Sequence, residues 1–297
     1  MSGLAALPYV TLPNIDLGPV SLHSFGILVA VGVLVSAWVG RLRGKQLGVD
    51  ENEIRVLTGY LLVSGFVGAH LFDVFFYQWD KMIDDPILIL KIWDGISSYG
   101  GFLGAAVGFA LFCKVHKVDR PLVYADITIT GTLPGFTFGR MGCASVHDHL
   151  GSILPQGETF PLAIETKGGN TWPDGSQVLQ HDLGLYELVF LLILMTVLVG
   201  ITRMGKKRPV GFIPGFVAVV YGLVRFYFDT FRPETTDPRH LGFTFAQWVS
   251  IITVVIGVVT LYRAYTAPKW DPSTGTAWNP REPVKPVGTK KPAAAGA

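Results

Sequence analysis

The segment Ile127-Thr128-Ile129-Thr130-Gly131-Thr132-Leu133-Pro134-Gly135-Phe136-Thr137-Phe138 runs without a charge into Gly139-Arg140-Met141-Gly142-Cys143-Ala144-Ser145-Val146-His147-Asp148-His149-Leu150-Gly151. An apolar run that ends on an arginine, and then opens the longest polar region of the chain, reads as a membrane helix meeting an extramembrane segment. Arginine at such a place is costly unless it faces a protein interior or a polar ligand. The alternative is a long stem reaching to lipid headgroups beside a surface loop. Gly139, Gly142 and Gly151 allow sharp turns or close approach of backbone to a ligand. Two histidines and Asp148 follow Arg140 within nine residues. A fixed positive charge therefore stands beside groups able to move protons.

Composition sets the class. Of 297 residues, 49% are hydrophobic and 15% charged, against about 25% charged in soluble domains. Seven Trp, ten Tyr and 19 Phe suit aromatic belts at two membrane interfaces. The chain reads as all-α, a polytopic membrane protein. Two cysteines imply no disulfide framework. Residues 1–17 hold no Lys or Arg, so they lack the basic start of a cleavable signal peptide. No nucleic acid and no cofactor is expected.

Working outward from Arg140 gives seven spans of about 20 apolar residues. Residues 1–18 form an N-terminal arm. Spans one to four occupy 19–141, at about 19–40, 54–77, 97–115 and 122–141. Residues 142–182 form a small head with strand pieces, marked by Gly168-Gly169-Asn170 and Pro173-Asp174-Gly175. Spans five to seven occupy 183–266, and 267–297 read as a disordered tail rich in Pro, Lys, Ala and Gly. Between spans two and three, Ile87 to Trp93 is too short to cross and should lie at the interface. Gly100, Gly101, Gly104 and Gly108 favour close helix packing in span three.

Basic residues collect on one side: Arg41, Arg43, Lys45 and Arg55, then Lys114, Lys117 and Arg120, then Arg203, Lys206, Lys207 and Arg208. That side is cytoplasmic by the positive-inside rule. The N-terminus and the head are then periplasmic and the C-terminus cytoplasmic, in a bacterial inner membrane. Cys113 and Cys143 fall near opposite faces, which rules out a bond between them.

The residues able to carry chemistry lie on the outer side. Tyr221, Arg225, Asp229 and Arg232 are spaced four, four and three, so they share one helical face. Asp229 could pair with Arg225 structurally. With Arg140 at the same level, three guanidiniums would make an anion site, and guanidinium suits phosphate. The phosphate available in a bilayer is a lipid headgroup. Glu187, in an apolar helix start, implies a partner. His70 and Asp73 are ionisable within span two, and Asp126 is a capping or pairing carboxylate. Trp93-Asp94-Gly95 through Tyr99-Gly100-Gly101 either lines a pocket or anchors the interface. A metal at His147-Asp148-His149 is a weak signal, because the ligands are neighbours on a loop, and none is expected. A retinal-type receptor would need a lysine in the last span, and Phe243 to Ala264 has none.

In order and spacing the chain resembles the prolipoprotein diacylglyceryl transferase family. The pieces are Gly18-Pro19-Val20 with His23 and Gly26; Trp93-Asp94-Gly95 with Gly100-Gly101; Gly139-Arg140-Met141-Gly142 with Gly151; His181 with Leu185-Tyr186-Glu187; Tyr221-Gly222 with Arg225, Phe231 and Arg232; and Gln247. The resemblance implies transfer of a diacylglyceryl group from phosphatidylglycerol to the lipobox cysteine of a prolipoprotein signal peptide, releasing glycerol phosphate. It implies that Arg140 and Arg225 hold the headgroup, among substrate-binding residues Arg232, Tyr221, Gly100, Gly101, Gly142, Cys143, Gly151, Asp229 and Glu187. The chain departs from the family pattern at Tyr99 for histidine, Cys143 for asparagine, Phe25 for tyrosine, Asp148 for glutamate and His70 for arginine. Tyr99 then stands where the family places a proton-transfer histidine, and His147 or His149, beside Asp148, could supply the imidazole. A phospholipid-binding paralogue without the transfer chemistry is the alternative.

Overall fold

The computed structural model describes residues 7–272 except 14, 18–19, 93 and 204–207. The expected tail beyond 272, and Lys206 and Lys207 of the basic loop, lie outside the described residues. The fold is mostly helical. Among the described residues, the α-helices are α1 (Ser24–Gln46), α2 (Glu51–Phe76), α3 (Trp79–Asp84), α4 (Ser98–Val115), α5 (Pro121–Val146), α6 (Leu183–Arg203), α7 (Phe212–Phe228) and α8 (Phe245–Thr266).

Among the described residues, six helices are long and apolar enough to cross a membrane: α1, α2, α4, α6, α7 with the 3-10 turn that extends it to Phe231, and α8. The chain is accordingly a multi-pass membrane protein. The expected fourth span, within α5, does not meet that standard of apolarity, because Asp126, Arg140 and several threonines interrupt it.

The chain also carries strands. β1 (Ile15–Leu17) and β2 (Val20–Leu22) pair antiparallel. β3 (Leu150–Ile153), β4 (Ile164–Glu165) and β5 (Leu179–Asp182) make a three-stranded sheet with β5 in the centre. A wholly α-helical description is therefore too narrow. The central strand buries Leu179, His181 and Asp182, and Leu154, Ala163 and Leu179 form a small core against Phe160.

Two compact units emerge. The described parts of Met1–Arg43 and Leu122–Trp270 form the first, and those of Gly44–Pro121 and Asp271–Ala297 the second. In the first unit, α1 meets α5 along small residues. A Cβ on Gly131 would sit 2.7 Å from Ser36 O, and one on Gly32 would sit 2.7 Å from Gly135 O. This small-residue seam is how helices pack when lipid gives no hydrophobic drive. Below the site, Leu133 of α5 packs with Leu191, Leu194 and Leu198 of α6 and with Phe216 and Val220 of α7. α8 starts on a capping box. Thr244 Oγ1 accepts from Gln247 N at 3.1 Å, and Gln247 Oε1 accepts from Thr244 N at 3.0 Å. Two otherwise orphaned donors of the first turn are thereby satisfied.

In the second unit, α2 and α4 share a similar seam. A Cβ on Gly68 would lie 2.6 Å from Gly100 O and 2.7 Å from Gly104 Cα. His70 is buried, with Nδ1 3.3 Å from Gly95 O and Nε2 within 3.2 Å of the Leu88 and Ile89 carbonyls. It fastens the connecting segment, a 3-10 turn at Pro86–Leu90, onto α2.

Candidate functional site

The site grows from α5, α6 and α7. At the end of α7 the four-four-three spacing places Tyr221, Arg225, Asp229 and Arg232 in one line of contacts. Across from them, Glu187 projects from α6 one turn in from its start, and Arg140 from near the end of α5. Glu187 is 1% exposed and lies between two guanidiniums. Its Oε2 is 2.9 Å from Arg140 Nε and 3.4 Å from Arg225 Nη1, and its Oε1 accepts the Tyr221 hydroxyl at 2.5 Å. Arg225 Nη2 then reaches Asp229 Oδ1 at 3.3 Å, and Arg232 Nε reaches the same oxygen at 3.1 Å. Arg232 Nη1 donates to Asp237 Oδ2 at 2.6 Å. The result is an alternating series of charges: Arg140, Glu187, Arg225, Asp229, Arg232, Asp237.

Burying single charges would cost several kcal/mol each, and pairing them in good geometry offsets that cost. Thr244 Oγ1 donates to the second oxygen of Asp229, which ties the start of α8 to the series. Arg140 is further oriented by the Phe136 ring, 5.0 Å below its guanidinium and itself edge-on to Tyr221. Two buried donors, Arg140 Nε and Arg232 Nε, touch carboxylates without hydrogen-bond alignment. Their contacts are ionic, so the N–H groups retain hydrogen-bonding capacity. Chemically, the cluster is an oriented set of guanidiniums with enough internal counter-charge to persist when no anion is bound.

Asp229 thus pairs with Arg225, as its spacing allows, and also joins Arg232 to the series. Glu187 finds the partner its position demands, in fact three. Asp126 pairs with Arg43 at 2.7 Å and accepts from Gly211 N at 3.0 Å, within the first unit.

His147 goes elsewhere. Its φ of 51° puts it in the left-handed region and ends α5. Nδ1 lies 2.6 Å from Asp182 Oδ2, Nε2 lies 3.0 Å from Val10 O, and Tyr9 covers the ring at 4.5 Å. Both ring nitrogens are engaged by groups of the protein itself, so the imidazole serves the fold here. It holds the N-terminal arm, which is also pinned by Leu12 N to Ser145 O at 3.0 Å. Asp182 Oδ1 meanwhile caps α6 by accepting from Leu185 N at 3.1 Å. His149 Nδ1 donates to Asp148 Oδ1 at 2.5 Å, and both side chains are partly exposed. Cys143 is buried, with Arg140 Nη1 3.9 Å from its sulfur.

The glycines answer packing needs. A Cβ on Gly151 would lie 2.8 Å from His181 Cβ and 2.9 Å from Phe231 O; one on Gly142 would lie 2.9 Å from the Phe25 ring. One on Gly100 would lie 3.0 Å from Ala69 Cα, within the α2–α4 seam; Gly101, 3.7 Å from Ala69 Cβ, lies beside it. Tyr99 stands half-buried in the first turn of α4, in the second unit. His181 stacks on Phe231 at 4.4 Å and meets the Tyr186 hydroxyl at 3.0 Å. Burial holds its imidazole below the usual histidine value. The partners that sequence reading missed are Val10 and Tyr9, which meet His147, and Asp237 and Thr244, which meet Arg232 and Asp229.

Comparison with known proteins identifies the family. Residues 13–263 match the family described as prolipoprotein diacylglyceryl transferase. A phosphatidylglycerol–prolipoprotein diacylglyceryl transferase of Glaesserella parasuis serovar 5 is 33% identical over 273 residues, covering 86% of this chain and 96% of the relative. Enzymes of the same name from Escherichia fergusonii and Proteus mirabilis are each 27% identical, covering 86% and 91% of this chain and 96% and 99% of theirs. The match takes in every member of the charge series, and the protein belongs to the prolipoprotein diacylglyceryl transferase family.

Proposed function

We propose that this protein transfers the diacylglyceryl group of phosphatidylglycerol to the lipobox cysteine of prolipoproteins. The carrying observation is the pair Arg140 and Arg225, both buried and both fixed on Glu187. In the reaction a thiolate sulfur bonds to the glycerol carbon of the lipid, the carbon–oxygen bond to phosphate breaks, and glycerol phosphate departs. Negative charge grows on the departing phosphate, and pre-oriented guanidiniums stabilise it there. Arg232, Tyr221 and Asp229 position the pair, and Glu187 keeps the two like charges in register. The thiol must lose its proton to attack. Asp148 and His149, hydrogen-bonded to each other and partly exposed, are the acceptors we assign.

The test uses purified protein, phosphatidylglycerol vesicles and a lipobox peptide. We expect a thioether-linked diacylglyceryl peptide and glycerol phosphate in equal amounts. Lipid binding without either product would overturn the proposal in favour of a non-catalytic lipid-binding relative.

We further propose that α5 is a seventh span. Its 26 residues reach roughly 39 Å at 1.5 Å per residue, beyond the hydrocarbon thickness of about 30 Å. Its two charges are paired within the protein, Asp126 with Arg43 and Arg140 with Glu187. The basic-residue pattern then supports a periplasmic N-terminus and head, and a cytoplasmic C-terminus, in the inner membrane. In a cysteine-free background, Asn170→Cys should react with an impermeant thiol reagent on intact spheroplasts, and Lys206→Cys only after lysis. The opposite pattern would invert the orientation.

A further inference from the structure

Beside the arginine series lies a group of side chains whose chemistry is of another kind. Cys143 Sγ, a carboxylate oxygen of Asp148 and a ring nitrogen of His149 all lie within 4.8 Å of one another. Cys143 comes from the last turn of α5. Asp148 and His149 return to it because His147, with its left-handed φ of 51°, folds the chain back. That fold is held on several sides. His147 is bonded to Asp182 and Val10, His149 O accepts from Leu183 N at 2.9 Å, and Leu150 pairs with Asp182 between β3 and β5. The three donors are brought together by fixed backbone.

We infer that Cys143, Asp148 and His149 form a binding site for a transition-metal dication of the zinc type, with three protein donors and a fourth position open to water. Thiolate sulfur, imidazole nitrogen and carboxylate oxygen are the donors zinc takes in tetrahedral sites. The thiolate selects against magnesium and calcium, which prefer oxygen alone. The present separations close to metal–ligand bonds of about 2.0–2.3 Å by side-chain rotation. Asp148 and His149 are 38% and 24% exposed, so they can rotate and give the ion a path from solvent. The charge opposing the ion is Arg140, 3.9 Å from the sulfur. Glu187, 2.9 Å from Arg140, offsets the guanidinium. On binding, the hydrogen bond between His149 and Asp148 gives way, and the thiol proton leaves to solvent as the metal–sulfur bond forms. The inference rests on the donor set, and its test reads metal binding, not transfer.

Cobalt(II) is the probe. Chelator-treated full-length protein in detergent is titrated with cobalt and followed by absorption. One equivalent should produce a near-ultraviolet sulfur-to-cobalt charge-transfer band together with the intense visible bands of a tetrahedral site, and zinc should remove both. Cys113→Ser should retain the bands, and Cys143→Ser should lose the charge-transfer band. Asp148→Ala and His149→Ala should each weaken binding by more than the roughly 10–100-fold that loss of an outer-shell contact costs. Circular dichroism checks that each variant is folded; if Cys143→Ser is not, the two partly exposed positions decide. No band in the unaltered protein, its persistence in Cys143→Ser, its loss in Cys113→Ser, or unchanged affinity in both alanine variants would overturn the site.

Discussion

A Glu187→Ala variant is expected to lose about 3–5 kcal/mol of stability, the cost of breaking a buried ion pair from one side. The carboxylate is almost fully enclosed and serves three groups at once: Arg140, Arg225 and the Tyr221 hydroxyl. Without it, two buried guanidiniums face each other across a cavity and the hydroxyl loses its acceptor. Glu187→Gln keeps the shape and an acceptor for Tyr221 but not the charge, so it should fall between the two. Unfolding of the three proteins in detergent, by heat or by titrated denaturing detergent, measures the order. A Glu187→Ala protein within about 1 kcal/mol of the parent, the size of an ordinary substitution, would show that the two arginines do not depend on this carboxylate.

Arg225→Ala should reduce turnover by roughly 10²–10³-fold, as removal of one oriented donor does where charge develops in a transition state. Phosphatidylglycerol binding should weaken by less, about 10–150-fold, the equivalent of roughly 1.5–3 kcal/mol for a charge-assisted contact. The difference arises because leaving-group charge is greater in the transition state than in the bound lipid. Arg225 is positioned by two carboxylates, Glu187 at 3.4 Å and Asp229 at 3.3 Å. Arg225→Lys retains the charge on a single ammonium, which cannot present the planar fork to both carboxylates and a phosphate. It should therefore recover binding more than turnover. Steady-state rates and lipid affinities, measured on the same preparations, separate the two effects; equal turnover in Arg225→Ala and the parent would remove Arg225 from the chemistry.

The six apolar helices were legible in the sequence because each is a long apolar run, and the arginine face of α7 because helical spacing puts Tyr221, Arg225, Asp229 and Arg232 together. Residues joined by chain reversal were not legible in that way. The demand that Glu187 have a partner can be read locally, but that it serves Arg140 and Arg225 together depends on how three helices meet. His147 reads as a mobile imidazole in a polar loop, yet Asp182 and Val10 take both of its nitrogens from distant parts of the chain. Gly151 and Gly142 read as places for a ligand, and the atoms that approach them are His181, Phe231 and Phe25. The strands of the head are two to four residues long, too short for alternation to announce them. α5 reads as a span once Arg140 and Asp126 are given partners, and falls short of one by apolarity alone.

The charge series also bears on how the protein is made. Arg140 leaves the ribosome before either α6 or α7 exists, so its counter-charge on Glu187 is synthesised a helix later. A guanidinium near the end of α5 therefore has to wait, at the headgroup level or within the insertion machinery, until α6 arrives. Glu187 and Arg225, on successive helices, can neutralise each other as α6 and α7 enter together as a hairpin. The counter-charge for Arg140 thus comes only with α6, on a carboxylate that Arg225 of the following helix then shares.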